Sequence, residues 1–176
     1  MKFKNLYFSV IIFYLISFNF VYSIDLPNIK NIKIHKEKKK ISNLHFFNSQ
    51  SKKVSLNDFS SNLVIINFWA TWCAPCKKEM PSLDGLYQSD DFKNLQVFAV
   101  NMEEPNRLKT KKFFNNLKIK KLKIFFDSEL NFVKEFKLRG VPTTVLINKK
   151  GEEFARIIGE VNFQDKKFIK WLSKYY

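Results

Sequence analysis

"NFWATWCAPCKKEMP", residues 67–81, holds both cysteines of this 176-residue chain, Cys73 and Cys76. A disulfide across so short a loop removes little chain entropy, about 2 kcal/mol against roughly 4.7 for a hundred-residue loop. A pair placed for stability would sit farther apart, which leaves redox chemistry or metal binding. The stretch follows "NLVIINFWA" (62–70), a continuous apolar run rich in β-branched residues that reads as a central buried strand. A helix is expected to start at Cys73 or Ala74, with Pro75 harmless in its first turn, and to run past a kink at Pro81 toward Gln88. A thiol at a helix start faces unpaired N–H groups and the positive end of the helix dipole, so Cys73 is favoured as thiolate and as nucleophile. Cys76, a turn deeper, is placed to resolve a mixed disulfide. Zinc wants four ligands, and the chain has no other Cys and only His35 and His45, read as surface residues. Copper(I) needs only two thiolates, so a copper-binding role stays open.

Working outward, "LQVFAVNM" (95–102) and "LKIFFD" (122–127) read as strands, with a helix from Asn106 to Leu117 between them. Ser128 is expected to cap a helix through Lys137, ended at Arg139-Gly140. "TTVLIN" and "EEFARIIG" form a hairpin about the turn Asn148 to Gly151, and Asn162 caps a last helix through Lys174. Two strand pieces around Asn48 to Lys53 form a hairpin ahead of the central strand. Alternating strands and helices closed by a hairpin describe an α/β fold: a central mixed β-sheet flanked by helices, with an N-terminal β-hairpin and a central strand-helix insertion. The expected division is 1–23 as signal peptide or N-terminal membrane anchor, 24–41 as a charged, loosely ordered lead-in, and 42–176 as the folded domain.

The net charge is +15, from 31 Lys and Arg against 16 Asp and Glu. No stretch interleaves aromatic and basic residues in a nucleic-acid-binding pattern, so nucleic acid is set aside as main partner. The excess reads as a Lys-rich solvated surface, including the run Lys109 to Lys123. Lys2 and Lys4 precede an apolar run over residues 6–22, the layout of a secretory signal with cleavage after Ser23 or of an uncleaved anchor. Either way residue 24 onward is expected across the membrane, in the periplasm, soluble after cleavage or anchored in the inner membrane, where disulfides are permitted.

"NFWATWCAPCKKEMPSL" and "GVPTTVLINKKGEEFARIIG", with the closing helix, resemble the thioredoxin superfamily, and within it the TlpA/ResA-like extracytoplasmic thiol-disulfide oxidoreductases, close to the cytochrome c maturation type. The resemblance covers residues 42 to 176. It implies that Pro142 is cis beside the cysteines and that the Val141 backbone pairs with an extended client segment. It also implies that Trp72 covers the thiols, with core packing as the alternative. Ala74, Pro75 and Thr143 complete the expected substrate-binding set, although Thr143 reads more as a strand residue than as a contact. Where cytosolic thioredoxins carry a buried Asp, this chain has Asn67, which cannot shuttle a proton; Glu79, one turn after Cys76, is expected to be partly buried and to exchange the Cys76 proton. The alternative is a surface Glu paired with a lysine. The implied activity is reduction of disulfides in secreted or periplasmic proteins, such as apocytochrome c or copper-site assembly proteins, by a monomer re-reduced by a membrane thiol-electron donor. No metal and no cofactor beyond the Cys73–Cys76 couple is expected. A dithiol oxidase of the same fold is the rival enzyme.

Overall fold

The computed structural model describes residues 31–41, 44–60 and 62–176. The expected signal or anchor over residues 1–23 lies outside the described residues, as do residues 24–30 of the expected lead-in. Among the described residues no helix is long and apolar enough to cross a membrane.

Among the described residues eight strands form one mixed sheet: β1 (Ile32–Lys40), β2 (His45–Asn48), β3 (Lys53–Ser55), β4 (Leu63–Trp69), β5 (Leu95–Asn101), β6 (Ile124–Phe126), β7 (Thr143–Ile147) and β8 (Glu152–Ile158), ordered β1-β8-β7-β4-β5-β6-β2-β3. The central strand β4 pairs parallel with β5 and antiparallel with β7. All seven of its residues are buried. Because side chains alternate across a strand, Leu63, Ile65 and Trp69 face one core and Val64, Ile66 and Phe68 the other. The first core is covered by helices α1 (Ala74–Gln88), α2 (Arg107–Asn116) and α4 (Lys166–Leu172), through residues such as Met80, Leu83, Phe113 and Phe168. The second is an aromatic cluster in which Phe46 meets Phe98, Phe125 and Phe132 edge-on, with centroids 4.8, 5.0 and 5.2 Å apart. Phe132 comes from helix α3 (Asn131–Phe136).

Four local details depart from the sequence reading. Residues 32–40 form an edge strand against β8, where a loose lead-in was expected. Ile32 and Ile34 are half-buried against the first core, and the lysines that follow blunt the exposed edge. Helix α3 is capped by Asp127, not Ser128: its carboxylate accepts the N–H groups of Asn131, Phe132 and Val133 at 2.9, 3.0 and 3.1 Å. One charged group satisfies three orphan donors that a hydroxyl could not. The helix ends at Lys137 in the left-handed region (φ 48°), three residues before Gly140. Helix α4 starts after Asp165, which accepts from Lys167 and Phe168, while Asn162 shapes the turn before it by accepting from Gln164.

The two ends of the described chain lie at opposite ends of the sheet. Asn31 accepts the Ile158 N–H at 3.1 Å, level with Thr143 where β7 begins. Tyr176 lies under Lys149 of the β7–β8 turn, 4.3 Å from ammonium to ring.

Candidate active site

Strand β4 delivers the chain to a tight turn at Ala70–Cys73, where the Cys73 N–H donates to Ala70 O. Parallel strands end at the same level, so the segment after β5 meets the segment after β4. There Glu103 accepts the Thr71 N–H at 2.5 Å and the Thr71 hydroxyl at 3.0 Å, while Lys109 and Asn101 donate to it at 2.6 and 3.3 Å. Burial alone would raise its pKa, but these donors together outweigh burial and hold the carboxyl down to about 2. Glu103 therefore clamps the turn that presents Trp72 and Cys73. Sequence reasoning missed it; the only signal was an acidic residue just past the strand expected over residues 95–102.

Cys73 is the N-cap of α1, and its sulfur accepts the Cys76 N–H at 3.2 Å. The two cysteines form a disulfide. Cys73 is 3% exposed and Cys76 fully buried, so the sulfur nearer the surface is the one at the helix end. Ala74 is exposed and Pro75 half-exposed beside it. Trp72 is 69% exposed, which removes the core-packing alternative and puts an indole on the surface next to the thiols.

One turn after Cys76, Glu79 is only 2% exposed, deeper than expected and far from a surface Glu. It lies on the α1 side of β4, where Asn67 also points. Asn67 Nδ2 donates to Glu79 Oε1 at 2.7 Å and to Thr144 Oγ1 at 3.0 Å, and the Val161 N–H donates to Oε2 at 3.2 Å. Asn67 Oδ1 is buried with no hydrogen-bond partner among the described residues. Burial pushes the Glu79 carboxyl up, the Asn67 and Val161 hydrogen bonds pull it part of the way back, and the Glu160 charge adds a smaller rise; the result is about 7. The carboxyl also lines a cleft of about 520 Å³ between α1 and the segment around Val161, so a proton on it has a way to water. Thr144 and Val161 as partners of Glu79 were not legible in the sequence.

The Val141–Pro142 peptide bond is cis. Pro142 and Thr143 are buried, and the Thr143 hydroxyl donates to Gly140 O at 2.8 Å, a turn-holding bond that leaves Thr143 a strand residue. Pro142 O accepts the Gly159 N–H at 2.9 Å. Val141 is half-buried, and neither its N–H nor its C=O is paired with another described residue. Pro75, Val141 and Pro142 line one cleft, so the two distant motifs meet at one place. His35 and His45 lie elsewhere, bound to Glu153 and Glu129.

Known proteins resemble this chain in sequence and fold. The thiol-disulfide oxidoreductase ResA of Bacillus thuringiensis (strain Al Hakam) is 33% identical over 111 residues, 63% of this chain and 63% of ResA. ResA of Geobacillus kaustophilus (strain HTA426) is 34% identical over 110 residues, 62% of each. The chain thus matches less than two thirds of the length of these curated relatives. Among solved structures, StoA from Bacillus subtilis superposes with a TM-score of 0.62 at 26% identity, covering 74% of this chain and 96% of StoA. A DsbF homologue from Corynebacterium diphtheriae gives 0.68 at 24% identity, covering 85% and 96%, a likeness of fold. The fold is thioredoxin-like, and residues 37–152 match the AhpC/TSA family model. This chain belongs to the AhpC/TSA family of the thioredoxin superfamily.

Proposed function

We propose that this protein is an extracytoplasmic thiol-disulfide oxidoreductase that reduces disulfides in secreted or periplasmic proteins. The observation that carries the reading is the Cys73–Cys76 disulfide at the first turn of α1 with the carboxyl of Glu79 buried one turn further on. In the reduced protein the Cys73 thiolate attacks one sulfur of a client disulfide. A Cys73–client bond forms, the client S–S bond breaks, and the released client sulfur takes up a proton. The thiol of Cys76 then gives its proton to Glu79 and attacks the Cys73 sulfur. The Cys73–Cys76 bond forms, the second client thiol leaves, and two electrons have passed to the client. Electrons return by the same exchange from a membrane dithiol donor, with no other cofactor. The unpaired N–H and C=O of Val141 receive the client backbone as an added strand, with Trp72 and Pro142 flanking the reacting sulfur. The client classes we propose are apocytochrome c and copper-site assembly proteins.

A Cys76→Ser variant of the full chain, expressed with extracytoplasmic extract, is expected to accumulate mixed disulfides through Cys73 that dithiothreitol releases. No trapped client would refute the reading. The direction of electron flow follows from the reduction potential of the couple. A value near or below about −250 mV fits a reductase, and one near about −120 mV would make the protein an oxidase.

A further inference from the structure

The cleft that Pro75 shares with the cis-proline loop has a sign. From Pro75, between the two thiols, about 590 Å³ of open space runs past Pro142 and Val141, and its rim carries Lys33, Lys137 and Arg139. All three cations are exposed, and none is ion-paired among the described residues. Arg156, which also lines the cleft, is already spent within the protein: Nε and NH2 reach the Glu153 carboxylate at 2.8 and 2.9 Å, and NH1 donates to Phe136 O at 2.6 Å. That guanidinium ties the end of α3, just before Lys137, to β8. Lys33 stands opposite Arg156 in the β1–β8 register, and Lys137 follows the carbonyl that Arg156 binds. Among the described residues no Asp or Glu lines this cleft.

A net charge of +15 spread evenly would make every cleft basic. The cleft that α1 lines one turn further on is not: Glu79 and Glu160 line it with Lys78, and Lys78 pairs with Glu160 at 3.6 Å. The positive sign therefore belongs to the side on which the free Val141 backbone waits.

We propose that this groove selects clients with acidic residues flanking the target cysteine, an extended segment whose Asp or Glu side chains reach Lys33, Lys137 and Arg139 while its backbone pairs with Val141. This rests on the reductase reading above. Opposite charge on a rim of this kind acts chiefly through the rate of encounter, and steering by a charged cleft is worth about 10- to 1,000-fold at low salt.

Three disulfide-bridged synthetic peptides of one length, with Glu, Gln or Lys at the positions flanking one cysteine, are offered to the reduced full chain, and kcat/KM is read from peptide thiol release. The Glu peptide is expected to be reduced at least about tenfold faster than the Lys peptide, and the preference to vanish near 1 M salt, where screening acts over about 3 Å. A Lys33→Gln/Lys137→Asn/Arg139→Gln variant is expected to lose most of the preference; Asn suits the left-handed conformation at 137. A Lys166→Gln/Lys167→Gln/Lys170→Gln variant removes the same charge from α4 and is expected to keep it. Equal rates for the three peptides, a preference that survives 1 M salt, or equal loss in both variants would overturn the selectivity. If no peptide is reduced, the reductase reading itself fails and the selectivity falls with it, an outcome distinct from reduction that ignores the flanks.

Discussion

The buried carboxyl at position 79 should make this protein less stable as it leaves acid, and the effect is large enough to measure. Folding raises the Glu79 pKa from 4.5 to about 7. Between those values the folded chain holds a proton that the unfolded chain has lost. Stability contributed by the neutral carboxyl is therefore complete below about pH 4.5 and is lost as pH rises through 7. With each pH unit of that window worth about 1.4 kcal/mol, the whole loss is about 3 kcal/mol, a large part of the stability of an ordinary domain. Glu79→Gln keeps the shape and removes the titration. Urea unfolding of the oxidised proteins from pH 4 to 9, with the disulfide intact so that no thiol titrates, isolates the term. The difference between variant and wild type is expected to drift in favour of the variant by about 3 kcal/mol between pH 4.5 and 8. The same variant should lose an inflection near pH 7 in the rate at which Cys76 resolves a trapped mixed disulfide. Parallel stability profiles would refute the buried, proton-holding carboxyl, and an unchanged kinetic profile would refute its role in exchange.

Glu103→Ala should leave the Thr71 N–H without its acceptor and cost about 1–3 kcal/mol, read as a lower urea midpoint at pH 7. Because folding lowers this carboxyl from 4.5 to about 2, its contribution is present above pH 4.5 and lost as pH falls toward 2, so wild type and variant should converge in acid. Phe46→Ala, emptying the centre of the second aromatic cluster, is expected to cost about 3–5 kcal/mol by the same assay while leaving the potential of the Cys73–Cys76 couple unchanged. A shift in that potential would mean that the two cores are coupled.

What could be read in the sequence was whatever a short window specifies. The unbroken apolar run of β4, the Pro75 that begins a helix and the Asn148–Gly151 turn carry their own instructions, and the Cys pair brackets the second of these. The cis-proline loop was legible only because a second motif, some seventy residues on, resembled a known partner of the first. Glu79 was legible as a residue but not in its depth, since burial depends on Val161, 82 positions away. Glu103 escaped because its partner Thr71 lies across the top of two parallel strands, 32 positions away. The strand at residues 32–40 was hidden for a related reason. Its lysines read as a solvated run, and only the pairing of Ile32 and Ile34 with β8, more than 120 residues on, turns that run into an edge. Asp127 beat Ser128 as a helix cap through reach and charge, which no propensity scale of single residues encodes.

The bond from the Ile158 N–H to Asn31 O gives the molecule a leash point. The chain enters the fold beside the groove and the cysteines, whereas Tyr176 sits at the far end of the sheet under Lys149. Whatever holds the protein from ahead of Asn31 holds it by its reactive end, crowding large clients away from the groove and favouring those that arrive along the same support. A load attached beyond Tyr176 trails behind and leaves the approach clear. Surface-immobilised protein tethered through one end or the other should thus differ in the size of client it can reach, although the thiols and their surroundings are the same.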